Sequence, residues 1–176
     1  MSKPQLQMLR PHLRDVPPVG LPTGYVLRSF RDGDQAGWNA VLTLSFERQP
    51  GEMDFDRMMA ADAAFRPERV KLIVDGDDEV AATASCWLDA RFGEHTAMLH
   101  YVACHPDHSG QQLGTQVSLA VLHHAIAEGR QRTALFTDDY RIAAIKTYLR
   151  MDFEPRIGHR SHPKRWRRIL EDLDWP

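Results

Sequence analysis

Leu99-His100-Tyr101-Val102-Ala103-Cys104-His105-Pro106-Asp107-His108-Ser109-Gly110-Gln111-Gln112-Leu113-Gly114-Thr115 is the stretch on which the fold turns. The apolar run Ala97 to Cys104 reads as a strand. Small and polar residues follow, and then Leu113, Val117, Val121 and Ala125 recur along a helix that ends near Gly129. A strand that passes through such a turn into a helix aims several backbone N–H groups in one direction, and the helix dipole adds partial positive charge there. That arrangement suits a pyrophosphate. Gly110 and Gly114 let a ligand approach the main chain, although the same glycines equally suit a plain tight turn. No Lys-Ser or Lys-Thr pair follows them, so this is not a Walker loop.

Working outward, Val70 to Val74 and Val80 to Leu88 precede this strand, separated by Asp75-Gly76-Asp77-Asp78 and then by Asp89-Ala90-Arg91-Phe92-Gly93. Two adjacent hairpins make an antiparallel meander. The helix after Cys104 returns the chain for a parallel strand, Thr133 to Thr137, so the sheet is mixed. Ile142 to Met151 reads as a helix and Phe153-Glu154 as a last strand. Nearer the N-terminus, Tyr25 to Phe30 reads as the first strand. Asp32-Gly33-Asp34 offers a cap for a helix carrying Trp38, Val41, Leu42 and Phe46. A second helix is expected over Phe55 to Ala64.

Five prolines (Pro4, Pro11, Pro17, Pro18 and Pro22) fall within residues 1–22, which predicts an arm rather than a helix. Residues 23–158 then form the main domain. Residues 159–176 form a basic helix whose apolar face, Trp166, Ile169, Leu170 and Leu173, packs on the sheet or on a second copy of the chain.

Composition narrows the class of function. A net charge of −2 gives no bulk electrostatic reason to bind nucleic acid or an anionic membrane. No apolar run approaches a membrane span and no signal core is visible, so a cytoplasmic, soluble protein is expected. Cys86 and Cys104 lie in apolar runs and read as buried free thiols.

The second informative stretch is Thr137-Asp138-Asp139-Tyr140-Arg141-Ile142-Ala143-Ala144-Ile145-Lys146-Thr147-Tyr148-Leu149-Arg150-Met151-Asp152-Phe153-Glu154-Pro155. With the first stretch it resembles the GNAT superfamily, the GCN5-related N-acetyltransferases, over roughly residues 24 to 158. The family's phosphate loop reads Gln/Arg-x-x-Gly-x-Gly/Ala, after a valine two residues before a proline. Pro106 and Gly114 match it, Gly110 fits an Arg-Gly variant, and Cys104, Ser109 and Gln112 depart from it. Ala144, Tyr148, Phe153 and Pro155 echo the family's Ala-x-x-x-Tyr-x-x-x-Gly-Phe-x-Pro, with Asp152 at the glycine and Arg141 at a usual asparagine. The Asp138-Asp139-x-Arg141-Ile142 lead-in resembles a subset that includes domains related to mycothiol synthase.

The resemblance implies an α/β (α+β) three-layer fold, with helices on both faces of a mixed, mostly antiparallel sheet of about six to seven strands. It implies an acetyl-CoA-dependent N-acetyltransferase that moves a short acyl group to a primary amine of a small molecule by direct attack. Pantetheine would lie along Val102, Ala103 and Cys104. The pyrophosphate would sit on the N–H groups of Gly110, Gln111, Gln112, Leu113, Gly114 and Thr115, with Ser109 and Arg141 as further cofactor contacts. Tyr148 takes the family's position for the acid that protonates the leaving thiolate, since a phenol stays protonated at neutral pH. Its alternative use is plain core packing.

His100 is the candidate base. Strand alternation places it on the face of Val102 and Cys104, and its ordinary pKa suits proton transfer. A half-buried packing histidine is the other reading. The competing function is a CoA-binding module without catalysis that acts through a partner protein.

Other features carry less. His105, His108, His123, His124, His159 and His162 lack recognised metal-ligand spacing, so no metal is expected. The basic residues between Arg156 and Arg168 are read as the solvated side of the last helix, so no nucleic-acid partner is expected. A homodimer through that helix is a further protein contact the sequence suggests.

Overall fold

The computed structural model describes residues 3–175, and in it a seven-stranded sheet runs in the order β2-β3-β4-β5-β6-β1-β7. The strands are β1 (Leu6–Arg10), β2 (Val26–Ser29), β3 (Val70–Val74), β4 (Val80–Leu88), β5 (Thr96–Cys104), β6 (Arg132–Thr137) and β7 (Glu154–Arg156). The helices are α1 (Gln35–Ser45), α2 (Leu113–Ala127), α3 (Ile142–Arg150) and α4 (His162–Asp172). Strands β2 to β5 form the antiparallel meander, and β5 pairs with β6 in parallel. The fold is the three-layer mixed sheet expected from the sequence.

The meander follows from its turns. Between β3 and β4 the Asp75 carboxylate accepts from the N–H groups of Asp77 and Glu79 at 3.0 and 3.1 Å, so the side chain itself closes the hairpin. Strand β4 is buried over nearly its whole length and is rich in small residues, including Ala81, Ala82 and Ala84. It is sandwiched, with α1 on one face and α2 on the other. A Cβ on Gly37 in α1 would lie 2.7 Å from Val80 Cγ2, so that helix approaches β4 where only glycine fits.

Three expectations need correction. The stretch read as an N-terminal arm contains β1, which sits inside the sheet and pairs antiparallel with both β6 and β7. Pro4 and Pro11 bracket a proline-free run whose alternate residues Leu6, Met8 and Arg10 are buried, so every ladder N–H is available and one face points into the core. The sheet therefore begins well before residue 23.

The second correction concerns the segment from Phe55 to Ala64, which makes only a single wide turn at Asp56–Ala60. The Asp62 carboxylate then accepts from Ala64 N at 2.8 Å and diverts the chain. Third, Asp34 precedes α1 but does not cap it. Its carboxylate is held by Arg28 at 2.6 and 2.8 Å and by Arg31 N at 2.7 Å.

Helix α4 packs on this same domain. Trp166 and Ile169 join Leu6, Tyr148 and Phe153 in one core, with Leu170 and Leu173 against it. Arg165 on its outer side pairs with Asp139 at 2.9 and 3.0 Å and reaches the Pro4 carbonyl at 2.7 Å, tying the tail to the start of the chain. None of the described helices is long and apolar enough to cross a membrane.

Candidate active site

Strand β5 has two halves. Its first half pairs with β6 from Thr96↔Arg132 to Met98↔Ala134, and there the parallel ladder stops. Past Met98 the two strands diverge, which frees the β6-facing edge of β5. The second half also carries a bulge: Ser85 on β4 faces His100 whereas Thr83 faces Ala103, so Tyr101 and Val102 together oppose one residue. Tyr101 takes φ +48°, a left-handed backbone without glycine.

The bulge corrects the expected placement of His100. It throws His100 and Tyr101 onto one face, their ring centroids 3.7 Å apart, with Tyr101 edge-on to Trp38 at 5.5 Å and His100 6.3 Å from Trp87. Val102 and Cys104 lie on the other face, against the core under α2 and α3. Burial lowers the His100 pKa to about 4, only partly opposed by Asp89 and Asp62. The imidazole is thus neutral but weakly basic, which is poor equipment for a dedicated base.

A cavity of about 290 Å³ opens where β5 leaves β6, and Val102, Ala103, Cys104, Gly114, Arg141 and Tyr148 line it. A second cavity, about 330 Å³, shares Val102, Arg141 and Tyr148 with the first and is also lined by His100, Tyr101, Phe136, Asp138 and Arg48. Tyr148 and Arg141 belong to both walls. Tyr148 is only 6% exposed, and burial raises its pKa, with Arg141 pulling weakly the other way. It therefore stays a protonated donor at neutral pH. Arg141 spans the junction: its guanidinium lies 4.2 Å over the Phe46 ring and donates to the Val102 carbonyl at 3.4 Å.

The turn after β5 presents a row of free donors. Among the described residues, the N–H groups of Gly110, Gln111, Gln112, Leu113 and Gly114 have no protein acceptor. Gly110 at φ +81° and Gln112 at φ +58° bend the chain to group them at the start of α2. Two of the expected contacts are committed elsewhere. Thr115 N donates to Gln112 O at 3.0 Å, and the Ser109 hydroxyl donates to Pro106 O at 2.6 Å. A third cavity, about 570 Å³, continues from Gly110, Gln112 and Thr115 toward Arg10, Pro17 and Arg150. Five free N–H groups leading into an apolar slot fit a pyrophosphate with an extended arm.

The N-terminal segment straps this turn down. Pro17 O meets His123 Nε2 at 2.8 Å, Gly20 N donates to Gln116 Oε1 at 2.7 Å, and the Tyr25 hydroxyl meets His108 Nδ1 at 2.8 Å. His108 and His123 thus have structural work, and the described residues contain no group of three metal-binding side chains. Cys86 is buried with its thiol pushed up to about 12, and Cys104 is raised by burial as well, so neither is an activated nucleophile.

Sequence reasoning missed Gln5, Arg48 and the position of Asp138 in the second cavity. Gln5 could not have been found, since it reaches the site only through the insertion of β1 beside β6. Asp138 and Arg48 had a weak signal, each lying just past an element that ends at the site.

The acetyltransferase (GNAT) family matches this chain over residues 38–153. The mycothiol acetyltransferase of Actinosynnema mirum is 31% identical over 146 residues, covering 80% of this chain and 48% of that protein. The mycothiol acetyltransferase of Saccharopolyspora erythraea is 30% identical over 152 residues, covering 84% and 49%. The chain spans about half the length of these relatives. Among solved structures, a GCN5-related N-acetyltransferase from Sphaerobacter thermophilus superposes with a TM-score of 0.69 at 18% identity, over 88% of this chain and 50% of that one. The ribosomal-protein-S18-alanine N-acetyltransferase of Escherichia coli gives 0.59 at 18% identity, over 74% and 77%. The fold, the open edge of β5 and the sequence match agree, and the chain belongs to the acetyltransferase (GNAT) family.

Proposed function

We propose that this chain transfers an acetyl or other short acyl group from CoA to a primary amine of a small molecule. The observation that carries the proposal is Tyr148, a buried, protonated phenol that lines both a slot along β5 and a second cavity. The slot and the free N–H groups of Gly110 to Gly114 suit the pantetheine arm and pyrophosphate of CoA. The second cavity suits the acceptor.

In direct transfer the amine nitrogen attacks the thioester carbonyl. The new C–N bond forms, the C–S bond breaks, and the sulfur leaves as thiolate. A backbone N–H of β5 stabilises the developing oxyanion, a contribution typically worth about 3 kcal/mol. Tyr148 gives its proton to the thiolate, and the extra proton of the amine passes to solvent. His100, with its lowered pKa and its ring turned toward Trp87 and Tyr101, is a packing residue in this scheme and not the base.

Tyr148→Phe tests the acid. Turnover should fall by roughly a hundredfold or more, the usual worth of general acid catalysis, while acetyl-CoA still raises the melting temperature. Unchanged turnover would sink the assignment. Absence of any acetyl-CoA stabilisation in the wild-type chain would sink the function itself and favour a fold acting through other partners.

A further inference from the structure

The second cavity holds more charge than transfer to a plain amine requires. Asp138, half-buried just past β6, is the single carboxylate among its described lining residues, and its Oδ2 accepts from the Gln5 amide at 3.2 Å. Two arginines line the same cavity. Arg141 is anchored on Phe46 and on the Val102 carbonyl. Arg48, just past α1, is exposed and pairs with no carboxylate among the described residues. The remaining wall is largely apolar, with Met53, Met58 and Phe136.

These groups select by charge. A diamine or other polycation would bring two positive charges to a cavity that already holds two against one. A lone alkylamine would satisfy Asp138 and leave Arg48 without use. An ammonium group with a carboxylate attached matches both ends: one charge goes to Asp138, the other to the open guanidinium, whose planar fork pairs well with a carboxylate. A volume of about 330 Å³ with methionine and aromatic walls suits a molecule of amino-acid size with an apolar side chain.

We propose that the acceptor is an amino acid with an apolar side chain, its carboxylate bound by Arg48 and its amino group drawn to Asp138 beside Tyr148. This rests on the proposed acetyl transfer and names the substrate class of that same cavity.

The test uses the full chain with acetyl-CoA and compares L-phenylalanine with L-phenylalaninamide and phenethylamine, each rate corrected to its fraction of free base. The amino acid should show a kcat/KM at least about tenfold above both carboxylate-free amines, equivalent to roughly 1.4 kcal/mol. Arg48→Gln should collapse that ratio to within about threefold, mainly through KM for the amino acid, and Arg48→Lys should retain part of it. Equal use of the three amines by the wild-type chain would overturn the inference and leave acetyl transfer standing. Persistence of the preference in Arg48→Gln would overturn the role of Arg48. Transfer to none of the three, or to any simple amine, would overturn the function and the inference together.

Discussion

Arg10 is the residue whose removal says most about how this site is held. It lies on β1, is 1% exposed, and has no business in a sheet interior unless its five donors are used. They are. Nε donates to the Met151 carbonyl at 2.9 Å, one terminal nitrogen to the His12 carbonyl, and the other to Asp152 Oδ2 at 3.1 Å, with Arg14 O at 3.4 Å. Met151 and Asp152 end α3, so Arg10 places a positive charge at that helix's negative pole.

Arg10→Ala would strip the Met151 and His12 carbonyls of a charged donor, each worth about 1.5 kcal/mol or more, and open a hole the size of the guanidinium stem. The partner Asp152 is 71% exposed, so water takes over its charge and the ion pair itself adds little. The sum is about 3 to 4 kcal/mol. In a domain of this size that lowers the melting temperature by roughly 10 °C. Differential scanning calorimetry at pH 7 reads the shift directly. A drop of under about 2 °C would show that β1 can be loosened without cost, and the account of it as an integral strand would fail.

Two further substitutions probe the site. Because burial lowers the His100 pKa to about 4, the neutral ring favours the folded state, and that stability is full above the unfolded value of 6.5 and lost as pH falls toward 4. His100→Gln should flatten that part of the pH–stability curve, worth up to about 3 kcal/mol, and leave the pH dependence of kcat/KM between pH 6 and 8 unchanged. A rate limb near pH 6.5 that disappears in the variant would restore His100 as the base. Gln112 holds φ +58° where the side chain gains nothing from that backbone, so Gln112→Gly should stabilise the fold by several tenths to about 1 kcal/mol in urea titration. Destabilisation instead would mean that the glutamine side chain has a role in the turn.

The parts of the fold legible in the sequence are those where one local rule decides. The Asp75–Asp78 turn marks a hairpin by its own chemistry, and α2 announces itself by its spacing and by Gly129 at its end. Tyr148 stood out through its match to the family's Ala-x-x-x-Tyr pattern, inside a helix that the structure bears out as α3. Strand β1 was hidden by averaging. Prolines counted over the whole N-terminal stretch obscured the six residues between Pro4 and Pro11 that contain none. What makes Leu6–Arg10 a strand is also distant, since the partners that order it are Thr133–Thr137 and Glu154–Arg156. The cap of α1 failed for a similar reason: Asp34 was read against its own helix, while Arg28 and Arg31 had the stronger claim on it.

The bulge in β5 is the deeper case, because no residue type betrays it. Tyr101 and Gln112 both adopt left-handed backbone, a conformation that a sequence normally signals with glycine, and both do so at the site. One inserted residue is enough to turn His100 away from Val102 and Cys104, since side chains alternate with a period of two and a single step moves all that follow to the opposite face. The insertion follows within a few residues of Met98, where the ladder to β6 ends. The strained Tyr101 and the open edge of β5 therefore lie next to each other in the same half of the strand. A regular β5 would instead carry His100 on the face of Val102 and Cys104, against the core under α2 and α3. The candidate site is hard to read from sequence because the strand breaks, at Tyr101, the alternation by which its residues are assigned to faces.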